Sequence, residues 1–210
     1  VSGSKNSSLP IIAATLLTAK KVTLNNIPHL VDTSVLLNLL SHLGVEMIME
    51  DHGTDDSASG RCFTFKTNKL QNQVAPYELV RKMRASILVL GPLVGRFGKA
   101  KVSLPGGCAI GSRPVDLHLY ALEQLGAQIS IKDGYVEAET KGRLKGAEIT
   151  FPKVTVTGTA NAMMAATLAK GKTTINNAAI EPEIANLAKF LNLIGAKVEI
   201  LKDRQIIIEG

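Results

Sequence analysis

Three segments of the chain end in the same way, and this repeat constrains the fold more than any other feature. Residues 43–45, 125–127 and 194–196 each read Leu or Ile, then Gly, then Val or Ala. Each segment follows apolar residues spaced three and four apart, which is typical of one helical face, and precedes a strand-like alternation. The glycine stands where a left-handed helix cap is expected. The chain is therefore predicted to contain three copies of one supersecondary unit.

The repeat extends upstream of each cap. Short strands are predicted at 21–24, 101–104 and 172–175. Helices are predicted before them over 8–19, 76–94 and 159–169. Each unit is thus read as helix, strand, helix and a strand pair, with repeats at about 1–66, 67–150 and 151–210. No linker separates the units, so we expect a single domain over residues 1–210, and because the chain starts at Val1 inside a motif, we expect a fragment or an excised domain.

The first and third predicted inner helices are apolar on most sides. Ile11 and Ile12 are followed by two alanines, and Met163 and Met164 are followed by two more. Sequence periodicity alone allows helices inside and sheets outside, or the reverse. A helix that is apolar all round is usually buried, which favours helices at the centre. The predicted fold class is α/β (α+β), with three repeated helix/strand units around a helical core.

Composition limits the partners that the chain can have. The net charge of +6 is compatible with nucleic-acid binding, but the basic residues are scattered and Trp is absent, so stacking platforms are scarce. A small anionic substrate or a solvated surface explains the same charge. No apolar run approaches the roughly 20 residues of a membrane span, and no secretory signal is visible. Two cysteines and four dispersed histidines indicate neither a disulfide scaffold nor a metal site, and they fit a reducing cytoplasm.

A glycine-rich stretch at 104–114 contains both a cysteine and an arginine. Gly106, Gly107 and Gly111 allow the backbone to approach a ligand closely. Arg113 can lower the pKa of the Cys108 thiol and can bind an anion. The residues alone leave two readings open, a reactive thiol or a plain buried one. Cys62, inside a strand-like segment, is predicted to be a packing residue.

Two further places carry candidate anion ligands. Lys5 lies in a serine-rich segment that precedes a helix, where amides and a cation together can bind an anion; an exposed lysine beside a helix cap is the alternative. Arg84 falls within the second predicted inner helix. A buried arginine needs a partner, so Arg84 is a candidate anion contact.

These motifs together resemble one family over the whole chain. The stretches are VSGSKNSSLP, RKMRASILVLGPLVGRFGKAKVSLPGGCAIGSRPVDLHL and PKVTVTGTANAMMAATLA. They are similar to the UDP-N-acetylglucosamine enolpyruvyl transferases, whose two similar halves each hold three such repeats and bind substrates in the cleft between them. This chain resembles the first half only, so the resemblance implies an inverse α/β barrel and, as a partner, a second half of the same chain.

The resemblance implies transfer of enolpyruvyl from phosphoenolpyruvate to the 3′-hydroxyl of UDP-N-acetylglucosamine, the first committed step of peptidoglycan synthesis in the cytoplasm. It implies that Cys108 is the proton donor, forms a covalent adduct with phosphoenolpyruvate and is alkylated by fosfomycin. The phosphoenolpyruvate positions are Lys5, Asn6 and Arg113. The UDP-sugar positions are Arg84, Arg113, Pro114, Val115, Asp116, Leu117, Lys153, Val154, Thr155 and Val156. No metal and no cofactor are expected, and neither nucleic acid nor a membrane is an expected partner.

Two alternatives remain beside this interpretation. The shikimate-pathway enolpyruvyl transferases share the fold and the phosphoenolpyruvate chemistry, but they lack the cysteine loop seen here as PGGCAIGSRP. A non-catalytic repeat scaffold or nucleic-acid binding module is the alternative from another class, and strongly salt-dependent binding would favour it. Thr155 and Thr157 depart from the family by replacing smaller residues, which leaves the detailed UDP contacts open. The isolated half is expected to fold but to be inactive.

Overall fold

Three β-sheets, one for each predicted repeat, surround a group of helices in the computed structural model, which describes residues 3–50, 60–105 and 115–210. The first unit comprises α1 (Lys5–Ala14), a 3₁₀ turn (Thr15–Leu17), β1 (Val22–Ile27), α2 (Val31–Leu43), β2 (Glu46–Glu50) and β3 (Arg61–Lys66). The second comprises β4 (Val74–Ala75), α3 (Tyr77–Val80), a 3₁₀ helix (Arg84–Val89) that continues as α4 (Leu90–Phe97), β5 (Lys99–Ser103), α5 (Asp116–Gln124), β6 (Gln128–Lys132) and β7 (Tyr135–Glu139). The third comprises β8 (Glu148–Thr150), α6 (Val156–Ala166), β9 (Lys172–Asn176), α7 (Pro182–Leu193), β10 (Lys197–Ile200) and β11 (Ile206–Glu209).

The three sheets share one topology. The strand orders are β1-β3-β2, β4-β5-β7-β6 and β10-β11-β9-β8. In each sheet three strands pair antiparallel, and in the second and third sheets a short strand, β4 or β8, adds in parallel to the outer edge. β8 lies before the predicted third repeat, yet it pairs with β9, so the third sheet begins at Glu148.

The inner helices α1, α4 and α6 form the centre of the core. Ile12 in α1, Leu93 in α4 and Met163 in α6 are fully buried, and they belong to one continuous apolar cluster. The predicted α/β class, with helices inside and sheets outside, is confirmed. Within the described ranges, no helix is both long and apolar enough to cross a membrane.

Glycines follow the outer helices as the repeat predicts. Gly44, Gly126 and Gly195 have φ of 100°, 89° and 106°, a left-handed conformation that L side chains rarely adopt. Each turns the chain from α2, α5 or α7 into the next strand. The predicted caps are therefore confirmed.

The prediction of one inner helix over 76–94 is wrong, because the helical structure there is interrupted. After α3 the chain turns, and Met83 is extended, with φ −153° and ψ 122°. Helical structure resumes at Arg84. The break lets Lys82 and Arg84 reach solvent, whereas a continuous central helix would carry their charges into the core.

Candidate active site

The first residues of the three inner helices line one open cleft of about 690 Å³. They are Lys5 and Asn6 of α1, Arg84 and Ala85 of the 3₁₀ helix, and Val156 and Thr157 of α6. The repeat explains this arrangement. Equivalent helices in three equivalent units begin at equivalent places, so their amino-terminal ends meet around a common point.

The helix starts give the cleft a positive electrostatic character. Backbone N–H groups in the first turn of a helix have no intrahelical partner, and the macrodipole places about half a positive charge there. Within the described ranges, the side chains of the capping residues Ser4 and Met83 make no hydrogen bond to these groups. Thr155 caps α6, but its Oγ1 accepts only from the Gly158 N–H, at 3.2 Å. Among the described residues no other side chain bonds the first-turn amides of these three helices, so the amides can bind an anion.

Charged side chains add to this field. The lining cations are Lys5, Lys82 and Arg84, and the lining carboxylates are Asp32 and Glu183. Lys5 Nζ lies 3.0 Å from Asp32 Oδ2, and both side chains are partly exposed. In the described part of the chain, neither Lys82 nor Arg84 forms an ion pair, so both remain available to an anionic ligand.

Five of the residues predicted from the sequence come together in this cleft. They are Lys5, Asn6, Arg84, Thr155 and Val156. Arg84 is exposed, so the expectation that it is buried in a central helix is wrong. Its exposure results from the break at Met83. The break leaves Arg84 in the lining of the cleft.

The other predicted residues lie elsewhere or are not described. Lys153 and Val154 are exposed and directly precede the cap of α6, outside the cleft lining. Val115 and Leu117 are buried at the start of α5, whereas Asp116 between them is exposed, and none of the three lines the cleft. Cys108, Arg113 and Pro114 lie outside the described residues.

Four polar residues line the cleft that were not predicted as site residues from the sequence. They are Asp32, Lys82, Thr157 and Glu183. Lys82 carried a signal, because three basic residues within 81–84 contradict a buried helix. Asp32 and Glu183 stand in the first turns of outer helices, where acidic residues are common for helix stability alone, so nothing in the sequence marked them.

A buried histidine lies behind the cleft wall. Only 3% of His118 is exposed, and its Nε2 lies 3.2 Å from Thr157 Oγ1. Its Nδ1 lies 3.0 Å from Asn161 Nδ2. Burial, and then the positive charge of Arg84, lower the pKa of His118 to about 4. The ring is therefore neutral at neutral pH.

Cys62 has the character predicted for it. It is buried in β3, and its Sγ lies 3.9 Å from Glu50 Oε2. Burial, followed by the nearby Glu50 carboxylate, raises the pKa of the Cys62 thiol. A protonated, enclosed thiol is a poor nucleophile, and Cys62 does not line the cleft.

Curated relatives match the chain from end to end. UDP-N-acetylglucosamine 1-carboxyvinyltransferase of Paramagnetospirillum magneticum is 52% identical over 210 residues, which are 100% of this chain and 49% of the relative. The protein of the same name from Acinetobacter baylyi is 55% identical over 210 residues, again 100% of this chain and 48% of the relative. The chain thus spans about half the length of these relatives, and the resemblance to the first half of such proteins is confirmed.

Solved structures agree on the fold. The enolpyruvyl transferase NikO from Streptomyces tendae has a TM-score of 0.81 at 21% identity, over 99% of this chain and 46% of that one. EPSP synthase from Acinetobacter baumannii has a TM-score of 0.75 at 17% identity, over 99% of this chain and 45% of that one. The model of the EPSP synthase (3-phosphoshikimate 1-carboxyvinyltransferase) family matches residues 1–210. The chain therefore belongs to the EPSP synthase family.

Proposed function

We propose that this chain is the first half of an enzyme that transfers enolpyruvyl from phosphoenolpyruvate to the 3′-hydroxyl of UDP-N-acetylglucosamine. The reaction would supply the first committed step of peptidoglycan synthesis in the cytoplasm. The names of the relatives at 52% and 55% identity support the choice of acceptor. Their length supports a second half that would close the site from the other side.

The observation that carries the proposal is the cleft where three helix starts meet Lys5, Lys82 and Arg84. Both proposed substrates are anions, one with a phosphate and a carboxylate and the other with a diphosphate. Such ligands need first-turn amides and cations, and in the described part of the chain Lys82 and Arg84 form no ion pair. Lys5 and Asn6 would serve phosphoenolpyruvate together with Arg113, and Arg84 would serve the UDP-sugar.

The proposed chemistry uses the chain's own groups. Cys108 would protonate the methylene carbon of phosphoenolpyruvate while positive charge develops at the neighbouring carbon, which the sugar hydroxyl attacks. The attacking hydroxyl would give its proton to a base in the second half, and loss of phosphate, together with return of a proton from the new methyl group to the Cys108 thiolate, would form the enol ether. Fixed cations would stabilise the phosphate during both steps. The segments 115–117 and 153–156 complete the proposed UDP-sugar site.

The direct test is to measure phosphate release by the full-length polypeptide that this proposal implies. We expect release only when phosphoenolpyruvate and UDP-N-acetylglucosamine are both present, and none with shikimate 3-phosphate as acceptor. The 210-residue chain alone should show no turnover, since half of the cleft is absent. Release with shikimate 3-phosphate alone would assign the chain to the shikimate reaction instead.

Matched arginine variants test the assignment of the cleft. Replacing Arg84 or Arg113 by Ala should lower kcat/KM by about 30-fold or more, because losing one partner of a charged contact costs roughly 2 kcal/mol or more. Arg81→Ala is the control, because Arg81 pairs with Glu78 at 3.2 Å and does not line the cleft. Equal effects of Arg81→Ala and Arg84→Ala would contradict a specific role for the cleft.

A further inference from the structure

The amide orientation of Asn161 is fixed by two backbone groups. Asn161 is fully buried in α6, and its Oδ1 accepts from the Gly91 N–H at 2.6 Å. Its Nδ2 donates to the Ile87 carbonyl at 3.1 Å. Rotating the amide by 180° would set two donors against each other at Gly91 and two acceptors against each other at Ile87. Asn161 therefore presents an N–H, and not an oxygen, to His118.

That orientation determines where His118 carries its proton. Nδ1 lies 3.0 Å from Asn161 Nδ2 and must accept its hydrogen. A neutral imidazole that accepts at Nδ1 carries its hydrogen on Nε2. Nε2 lies 3.2 Å from Thr157 Oγ1 and therefore donates to that oxygen.

The Thr157 hydroxyl is left with a proton to donate. Its oxygen accepts from His118, and within the described ranges its hydroxyl hydrogen has no acceptor. Thr157 is half-buried at the second position of α6, and it lines the cleft beside free first-turn amides. Because Thr157 lines the cleft, a ligand bound there can accept this hydrogen.

We propose that Thr157 is a further ligand of the UDP-sugar, and that His118 orients its hydroxyl to donate a hydrogen bond to a phosphate oxygen. This inference rests on the proposed function and adds a residue outside the positions that the family resemblance implies. His118 is a positioning residue, because it acts through Thr157 and does not reach the ligand. Asn161 in turn fixes the tautomer of His118.

The tautomer can be measured without any ligand. Long-range ¹H–¹⁵N correlation spectra of the 210-residue chain should show His118 protonated on Nε2 at pH 7. Protonation on Nδ1 would overturn the inference, because Nε2 would then accept the Thr157 hydrogen and leave none for a ligand. This outcome has no bearing on the proposed reaction.

Binding of UDP-N-acetylglucosamine tests the contact itself. Thr157→Val keeps the side-chain shape but loses the hydroxyl, and the dissociation constant should rise about tenfold, as for a lost hydrogen bond to a charged group. Thr157→Ser should stay within about threefold of wild type. Uridine, which has no phosphate, should bind wild type and Thr157→Val equally.

The outcomes separate this inference from the proposed function. If wild type binds UDP-N-acetylglucosamine and Thr157→Val binds it equally well, the inference is wrong and the proposed function stands. If uridine binding falls as much as UDP-sugar binding, Thr157 has a structural role and the inference is also wrong. If the full-length wild-type protein binds no UDP-N-acetylglucosamine, the proposed function is wrong, and the inference that rests on it is wrong too.

Discussion

Replacing Asn161 by Ala should destabilise the fold severely, because this side chain joins the inner helices of two units to α5. It accepts from the Gly91 N–H in α4 and donates to the Ile87 carbonyl and to His118 in α5. All of these contacts lie in a core that water does not reach. The truncation therefore removes partners that solvent cannot replace.

The magnitude follows from the groups that lose a partner. The Ile87 carbonyl still accepts from the Leu90 N–H, so it remains bonded. The Gly91 N–H and His118 Nδ1 are left buried and unpaired, at about 1–3 kcal/mol each. We therefore expect Asn161→Ala to lower the free energy of unfolding by about 2–6 kcal/mol, a large share of the 5–15 kcal/mol typical of a domain.

Asn192→Ala provides a matched control at the surface. Asn192 also bonds backbone at two places, through Val198 O at 2.8 Å and Val198 N at 2.7 Å, but it is exposed. Asn192→Ala should lower the free energy of unfolding by only about 1 kcal/mol, since water can replace the hydrogen bonds of the lost side chain. Urea unfolding followed by far-UV circular dichroism measures both variants, as the chain has no Trp for fluorescence. Equal losses for Asn161→Ala and Asn192→Ala would refute the reasoning.

Three further predictions concern the core. The folded pKa of His118 is about 4 and the unfolded value is near 6.5, so the unfolded chain binds the extra proton between these values. Stability should therefore fall as pH drops from 6.5 to 4, by up to about 3 kcal/mol, and a flat urea midpoint over this range would contradict it. Gly91→Ala should lower the free energy of unfolding by about 1–3 kcal/mol, because the new Cβ would lie 2.5 Å from the backbone carbonyl oxygen of Asn161. Gly95→Ala, whose Cβ would lie 3.2 Å from the Ala165 carbonyl oxygen, should be near neutral by the same unfolding assay. Peptide mapping after maleimide treatment should find Cys62 labelled only in denatured protein, and rapid labelling of Cys62 in native protein would refute its burial.

Local interactions made the repeat predictable from sequence. The glycines at 44, 126 and 195 adopt their left-handed conformation because of the helix end beside them, and that end is visible in apolar spacing. The apolar composition around Met163 likewise revealed the helical core, because a helix that is apolar on all sides has to be buried. Lys5 was recognised as a candidate ligand because its charge precedes such a helix, and Arg84 because its charge falls within one.

Long-range interactions account for what the sequence did not reveal. The apolar spacing continues through Met83, so the break there depends on its tertiary surroundings and not on local propensity. β8 pairs with β9, although α6 lies between the two strands in the sequence. Such pairing between strands that are separated by a helix has no signal in the local sequence. Asn161 and Thr157 belong to a helix that reads as simply apolar, and their roles depend on His118, which is 39 residues away from Thr157 in sequence.

We propose that anionic substrate groups bind where the three inner helices begin. A ¹H–¹⁵N titration of the 210-residue chain with UDP-N-acetylglucosamine and phosphoenolpyruvate together tests it most directly. We expect the largest amide shifts to fall together at Asn6, Ala85 and Val156, one residue from each unit. Shifts confined to one unit, or clustered on the outer sheet surface around Lys101 and Glu137, would contradict it.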